Sequence, residues 1–215
     1  TWWAALYDDL LAEALLERKS EDETRATLAF LEDRLALRPG DVVFDQCSGI
    51  GSLALPLAAR GYRVVGVEQA EAYVARANSE ARERGIDAHF IAGDAFEVGP
   101  GEPCAAVFNW WTSFGYATDD RTNARMLARA FEALVPGGWF LLDTMNLPGV
   151  LRGFREHVVT RRETSRGELV LVLQHVVHRA QVALRGRQHL GVEQRFGGQR
   201  VGVAGRFSVE PGGEL

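Results

Sequence analysis

The chain has 215 residues, 47% of them hydrophobic and 25% charged, with a formal net charge of −5. That length suits one domain with a sizeable core, and the net acidity weighs against a nucleic-acid partner, which calls for a basic face. Cys47 and Cys104, the only cysteines, give no disulfide framework or metal-ligand spacing; no apolar run reaches the roughly 18 residues of a membrane span and Thr1-Trp2-Trp3 is no leader pattern, so a cytoplasmic location with no membrane partner and no metal is expected.

Thr1 to Leu16 reads as an amphipathic helical lead-in carrying Trp2, Trp3 and Tyr7. Ser20 and Glu23 have the spacing of a capping box. A helix over about residues 24 to 37 follows, with Leu28, Leu31 and Leu35 on one stripe, and Pro39-Gly40 breaks it. Val42, Val43 and Phe44 form a short apolar run, as a strand buried on both faces would, and it closes on Asp45. The turn Cys47-Ser48-Gly49-Ile50-Gly51 leads into a helix from Ser52 to Arg60, with Pro56 early enough to be tolerated and Gly61 closing it. Tyr62 to Val67 is a second buried strand, ending at Glu68 and Gln69.

Residues 71 to 84 form a charged amphipathic helix with Tyr73, Val74 and Ala77 inward, stopped by Gly85. A third strand, His89 to Ala92, delivers Gly93-Asp94-Ala95-Phe96, and Cys104 to Asn109 is the fourth. Asp119 and Asp120 cap a helix over about 120 to 134, striped by Met126, Leu127, Ala130, Phe131 and Leu134. Pro136-Gly137-Gly138 turns into a fifth strand, Trp139 to Asp143. Strands alternating with helices predict an α/β fold, a Rossmann-like doubly wound and mostly parallel sheet with helices on both faces. Leu169 to Val177 reads as a further strand. From about residue 179 the chain is rich in Gly, Arg, Gln and Val, and the periodic pattern fades. The expected organisation is a lead-in at 1–38, a cofactor-binding core at 39–172 and a C-terminal β segment at 173–215.

The stretch from Asp41 to Glu68 carries the chemistry. Strand, glycine turn, helix and second strand make a nucleotide-cofactor site, because small residues let backbone approach a ligand. A dinucleotide fingerprint needs a third glycine, and Ala54 stands there. Asp45 lies just before the turn, where a carboxylate repels a pyrophosphate but attracts the amino group of a methionine tail and favours a nearby sulfonium. Glu68 can accept both hydroxyls of a ribose. The two acids favour S-adenosylmethionine over NAD.

Val43-Phe44-Asp45-Gln46-Cys47-Ser48-Gly49-Ile50-Gly51 resembles the first motif of the class I S-adenosylmethionine-dependent methyltransferases, V-L-D-x-G-x-G-x-G. The departure is Cys47, where the family has glycine; cysteine does not take positive φ cheaply, so the turn is expected to differ slightly. The resemblance implies cofactor contacts from Asp45, Cys47, Ser48, Gly49, Gly51, Gln69 and Ala95, with Glu68 on the ribose and Asp94 near the adenine. Asn109, ending the fourth strand, is expected near the adenine or methionine end. The family also recruits N-terminal segments as covers over the substrate, and it normally ends with an antiparallel strand pair preceded by a helix. That helix is not evident here, and the resemblance covers about residues 1 to 172.

Ligands in doubly wound sheets sit beyond the carboxyl ends of the strands. There the fourth strand runs into Trp110-Trp111-Thr112-Ser113-Phe114-Gly115-Tyr116, and the fifth into Thr144-Met145-Asn146. Ring faces attract a sulfonium and exclude water, so Trp111, Ser113, Phe114, Tyr116, Asn146 and Tyr7 are the expected substrate residues. Asn109-Trp110-Trp111-Thr112 lacks the paired prolines of DNA amino-methyltransferases, and W-T-S-F-G-Y resembles a subgroup acting on small molecules. The expected reaction is in-line methyl transfer to an oxygen or nitrogen of a small-molecule acceptor, with no general base assigned to His157, Tyr7 or Tyr116. The alternatives are a non-catalytic cofactor-binding or scaffold protein and a nicotinamide-dependent oxidoreductase; the latter predicts a Tyr/Lys pair, and Lys19 is the only lysine.

Overall fold

The computed structural model describes residues 9–17, 20–111, 113–117, 119–144, 152–153, 155, 157–165, 167–174, 194–196 and 199–203. Among them, seven strands form one sheet in the order β3-β2-β1-β4-β5-β9-β8. The strands are β1 (Val42–Gln46), β2 (Arg63–Glu68), β3 (Ala88–Ala92), β4 (Cys104–Asn109), β5 (Leu134–Leu142), β8 (Gln194–Phe196) and β9 (Gln199–Val203). The pairs from β3 through β5 are all parallel. A separate antiparallel hairpin joins β6 (His157–Thr164) and β7 (Gly167–Gln174).

Strands buried on both faces need apolar side chains on alternate sides. Val43, Ala106, Phe108 and Leu141 face one layer with α2 (Glu21–Arg34), α3 (Ala54–Ala58) and α4 (Glu71–Arg84). Phe44, Val107, Phe140 and Leu142 face the other, against Met126, Ala130 and Ala133 of α5 (Asp120–Ala133). Each fully buried Phe or Leu contributes roughly 1.5–3 kcal/mol, so this two-sided core fixes the strand register. It also brings the ends of β1, β2, β3, β4 and β5 to one edge.

Caps set the helix limits. Ser20 Oγ accepts from the Glu23 N–H at 3.2 Å and opens α2, with Glu21, Asp22 and Glu23 favouring the positive end of the helix. Asp119 Oδ1 accepts from Thr122 N–H at 2.8 Å and opens α5. Gly85, left-handed at φ 61°, closes α4.

Several limits differ from the sequence reading. The helix after the glycine turn is only Ala54–Ala58, because residues 51–53 remain in turns. β5 begins at Leu134, taking in Pro136-Gly137-Gly138, and the ladder shifts register between Cys104 and Ala106 to absorb the extra residues, as a bulge does. The described lead-in is an α-turn, α1 (Asp9–Leu11), running into a π-helical Ala12–Leu16. His157 lies on β6, which no alternating pattern announced. At the sheet edge β8 and β9 form an antiparallel pair, with β9 parallel to β5.

Candidate functional site

Asp45 pairs across the sheet with Gly66 on β2 and Phe108 on β4, so its side chain stands at the middle of the carboxyl edge. It is 4% exposed, and Glu68 at the end of β2 is 8% exposed. Burial pushes the Asp45 carboxyl well above the usual carboxylate range, and the neighbouring Glu68 charge raises it further. Burial also raises Glu68, while N–H donors from Ala70 and Gly49 pull it back.

Those donors shape the turn. Glu68 Oε2 accepts from Gly49 N–H at 3.0 Å and Oε1 from Ala70 N–H at 2.9 Å. A carboxylate has about four acceptor positions, so Glu68 keeps acceptor capacity for a ligand hydroxyl beside its backbone donors. Ser48 N–H donates to Val67 O at 3.0 Å, and Gly93 N–H to Glu68 O at 2.9 Å. The turn lies so close to the sheet that a Cβ on Gly51 would meet Phe90 Cζ at 2.8 Å, and one on Gly66 would meet Phe90 Cδ1 at 2.5 Å and Ser48 Oγ at 2.7 Å.

Cys47 sits in the glycine conformation, at φ 68°. The turn therefore keeps the glycine geometry and the residue bears the strain, contrary to the expectation of an altered turn. Burial, Glu68, Asp45 and Asp94 all push its thiol up, and the Asn109 hydrogen bond opposes them.

Asn109, fully buried, gives its amide to Gln46 Oε1 at 3.2 Å, Met126 Sδ at 3.4 Å and Cys47 Sγ at 3.9 Å. Gln46 in turn donates to Met126 O at 2.9 Å. Asn109 Oδ1 and Ser48 Oγ are buried without a hydrogen-bond partner among the described residues. Unpaired buried acceptors are costly. Both lie at the same edge as the buried Asp45 and Glu68.

Asp94 is exposed and accepts from Phe96 N–H at 2.9 Å, Ala95 is buried beside it, and Gln69 is exposed after β2. Past β4, Trp111 is 47% exposed at φ 65°, Ser113 Oγ donates to Trp110 O at 3.2 Å, and Phe114 and Tyr116 are half-buried. The carboxyl edge thus gathers Asp45, Cys47, Ser48, Gly49, Gly51, Glu68, Gln69, Asp94, Ala95, Asn109, Trp111, Ser113, Phe114 and Tyr116. Tyr7 and Asn146 lie outside the described residues. The sequence reading passed over Gln46, which orients Asn109, and Asp143, which accepts from Trp111 N–H at 3.1 Å. The signal for Asp143 was present: it is a third acid closing a core strand, as Asp45 and Glu68 are.

A groove of about 410 Å³ behind the turn is lined by Leu28, Ile50, Leu55, Pro56, Arg60 and Arg84 among others, and by neither acid. Its arginines are already paired, Arg60 with Glu32 at 2.7 Å and Arg84 with Glu80 at 2.9 Å, and neither buried acid of the carboxyl edge reaches it.

The N-terminal segment packs on the glycine turn. Leu16 Cδ1 would lie 3.6 Å from a Cβ on Gly49, and Ala12 packs with Ile50 and Tyr73. Glu17 pairs with Arg76 at 2.7 Å. Glu13 accepts from Ser165 N–H at 2.6 Å and Ser165 Oγ at 2.7 Å, tying the segment to the β6–β7 turn. Among the described residues no three potential ligands group as a metal site, and no helix is long and apolar enough to cross a membrane.

Residues 43–138 match a family model described as a methyltransferase domain. The chain is 46% identical over 62 residues to the 23S rRNA (uracil(1939)-C(5))-methyltransferase RlmD of Azoarcus sp. (strain BH72), covering 28% of this chain and 14% of that relative. The CcbJ methyltransferase of Streptomyces caelestis superposes with a TM-score of 0.59 at 23% identity, over 74% of this chain and 64% of that one. A S-adenosylmethionine-dependent methyltransferase of Clostridium acetobutylicum gives 0.56 at 14% identity, over 76% and 64%. These structural likenesses establish the fold.

The RNA-methyltransferase relative corrects one expectation. Net charge weighed against a nucleic-acid partner and for a small molecule, yet the chain shares a segment with an enzyme named for 23S rRNA. A net charge of −5 sums the whole chain and reports no local surface, so it gives no ground for excluding nucleic acid. Residues 43–138 thus match a methyltransferase domain, and the chain has the fold of solved S-adenosylmethionine-dependent methyltransferases.

Proposed function

We propose that the acid-lined edge binds S-adenosylmethionine and that the protein transfers its methyl group to an oxygen or nitrogen nucleophile. The observation carrying this reading is the pair of buried carboxylates, Asp45 and Glu68, either side of a glycine turn whose Gly49 N–H Glu68 holds. Both are pushed up by burial, and Asp45 also by Glu68. A ligand carrying an ammonium and a sulfonium relieves that cost at Asp45, and ribose hydroxyls use the remaining acceptor capacity of Glu68. Ser48 Oγ and Asn109 Oδ1 are further unused polar atoms at the same edge.

The cofactor supplies a sulfonium methyl that an acceptor nucleophile takes in one in-line displacement, with S-adenosylhomocysteine leaving. The chain's own part is positioning, which can contribute roughly 7–11 kcal/mol of the barrier. Asp45 anchors the methionine end, Glu68 fixes the ribose, and the half-buried Phe114 and Tyr116 exclude water. Burial pushes both cysteine thiols up, Cys104 to about 12, so neither is set up as a thiolate nucleophile toward an acceptor.

Calorimetric titration with S-adenosylhomocysteine, with NAD as control, tests the cofactor. Micromolar binding of the former alone is expected; a folded sample binding neither would end the reading. An acceptor screen with labelled S-adenosylmethionine follows, and it includes RNA beside amines and phenols. Cofactor binding without transfer to any of them would leave a binding protein.

A further inference from the structure

Trp111 is one of three non-glycine residues in the left-handed region among the described residues, with Ala36 and Cys47. A bulky residue there is strained and persists only where its surroundings hold it. Asp143 holds it: its Oδ2 accepts the Trp111 N–H at 3.1 Å. Asp143 is buried at the end of β5, and its own N–H donates to Asn109 O at 2.9 Å. The far end of the loop is clamped too, for Asn123 Oδ1 accepts from Ala117 N–H and its amide donates to Ala117 O, both at 3.1 Å. Between these clamps the loop leaves the Trp111 indole 47% exposed. A buried carboxylate spent on fixing a strained backbone whose ring stays in solvent serves no packing purpose.

Strand order gives the ring a purpose. Read along the edge, Asp94 follows β3, Glu68 ends β2, Asp45 lies on β1 and Asn109 ends β4, with Asp143 after β5. A cofactor with its ribose at Glu68 and its ammonium at Asp45 holds its sulfonium between them, beside β1, and β4, whose following loop carries Trp111, is the neighbouring strand. We propose that Asp143 is a positioning residue, fixing Trp111 so that its indole faces the transferable methyl and favours the cationic S-adenosylmethionine over neutral S-adenosylhomocysteine. The inference rests on the cofactor reading above.

The test is titration of the full chain with S-adenosylmethionine and S-adenosylhomocysteine. Trp111→Gly removes the ring and relieves the strained backbone, so it keeps a folded protein in hand. It is expected to lower the preference for S-adenosylmethionine by roughly two- to thirtyfold, the range of a cation–ring contact, with S-adenosylhomocysteine affinity little changed. Trp111→Phe keeps most of the preference. Asp143→Leu reproduces the loss, with Asp143→Ala as the milder deletion, and Asp143→Asn restores it because its carbonyl oxygen still accepts the Trp111 N–H. An unchanged preference in Trp111→Gly overturns the proposal, as does a folded Asp143→Ala that keeps it. A wild-type chain that binds neither ligand defeats the cofactor reading instead.

Discussion

The Gly49 N–H donates to Glu68 Oε2 at 3.0 Å, so the acid that would hold the ribose also holds the turn that would cradle the cofactor. Ala70 N–H binds the other oxygen at 2.9 Å, and one side chain thereby couples β1, β2 and the start of α4. Replacing Glu68 removes a ligand group and unties two backbone donors at once.

Glu68→Ala is therefore expected to lose S-adenosylhomocysteine affinity and to destabilise the fold as well. Two partly buried N–H groups without acceptors cost about 1–3 kcal/mol each. Glu68→Gln keeps one carbonyl acceptor and should lose affinity with a smaller stability cost. Urea denaturation beside calorimetry separates the two effects, and a Glu68→Ala chain as stable as wild type would show that the turn does not depend on the carboxylate.

Asp45 acts oppositely on stability. Burial and the neighbouring Glu68 raise its folded pKa well above the normal value. An acid raised in the folded state binds its proton more tightly there, so its stabilising contribution is present below the unfolded pKa of about 3.9 and is lost as pH climbs toward the folded value. Asp45→Asn removes that loss. The variant should melt above wild type at pH 8, by a margin that shrinks toward pH 4, while binding S-adenosylhomocysteine more weakly. Melting curves across pH check this, and a margin independent of pH would mean that Asp45 carries no buried charge.

At Cys47 the usual ranking of alanine over glycine should invert. Glycine ordinarily costs roughly 0.5–1 kcal/mol relative to alanine, but at φ 68° an L residue bears a penalty of about 1–2 kcal/mol. Cys47→Gly and Cys47→Ala both lose the thiol, so their difference isolates the backbone. Cys47→Gly is expected to be the more stable by about 1 kcal/mol in a denaturation titration, and the reverse order would place residue 47 outside the left-handed region in solution.

The core and the acid-lined edge were legible because local signals agreed with tertiary ones. Gly85, Ser20 and Asp119 end or open helices by their own chemistry, and the apolar runs at Val43 and Val107 can only be buried strands. Asp45 and Glu68 were readable as a pair because each closes such a run. What escaped depends on contacts between distant positions. Asp143 binds Trp111 across 32 residues and Gln46 binds Asn109 across 63, and no periodicity announces either. Pro136 within β5 needed a bulge against β4 to be tolerated. β7, Gly167–Gln174, was readable in part from Leu169 to Val177, whereas β6 mixes arginine, glutamate, threonine and valine, with Val159 exposed, and lacks the alternation that marks a half-buried strand.

The cover over the glycine turn gives the last expected outcome. Ala12 and Leu16 pack on Ile50, Tyr73 and the Gly49 backbone, whereas the tie to the β6–β7 turn is two exposed hydrogen bonds from Ser165 to Glu13. Exposed hydrogen bonds contribute little to global stability, and their loss usually stays within about 0.5 kcal/mol. They can still decide how often a surface segment opens, since local opening draws on its own small free energy rather than on the whole core. Glu13→Ala should leave the melting temperature nearly unchanged while speeding S-adenosylhomocysteine release several-fold in stopped-flow displacement, and Ser165→Ala should do so less, because it keeps the backbone N–H bond. Equal release rates in all three proteins would make the segment simple packing against the turn, with cofactor exchange taking another route.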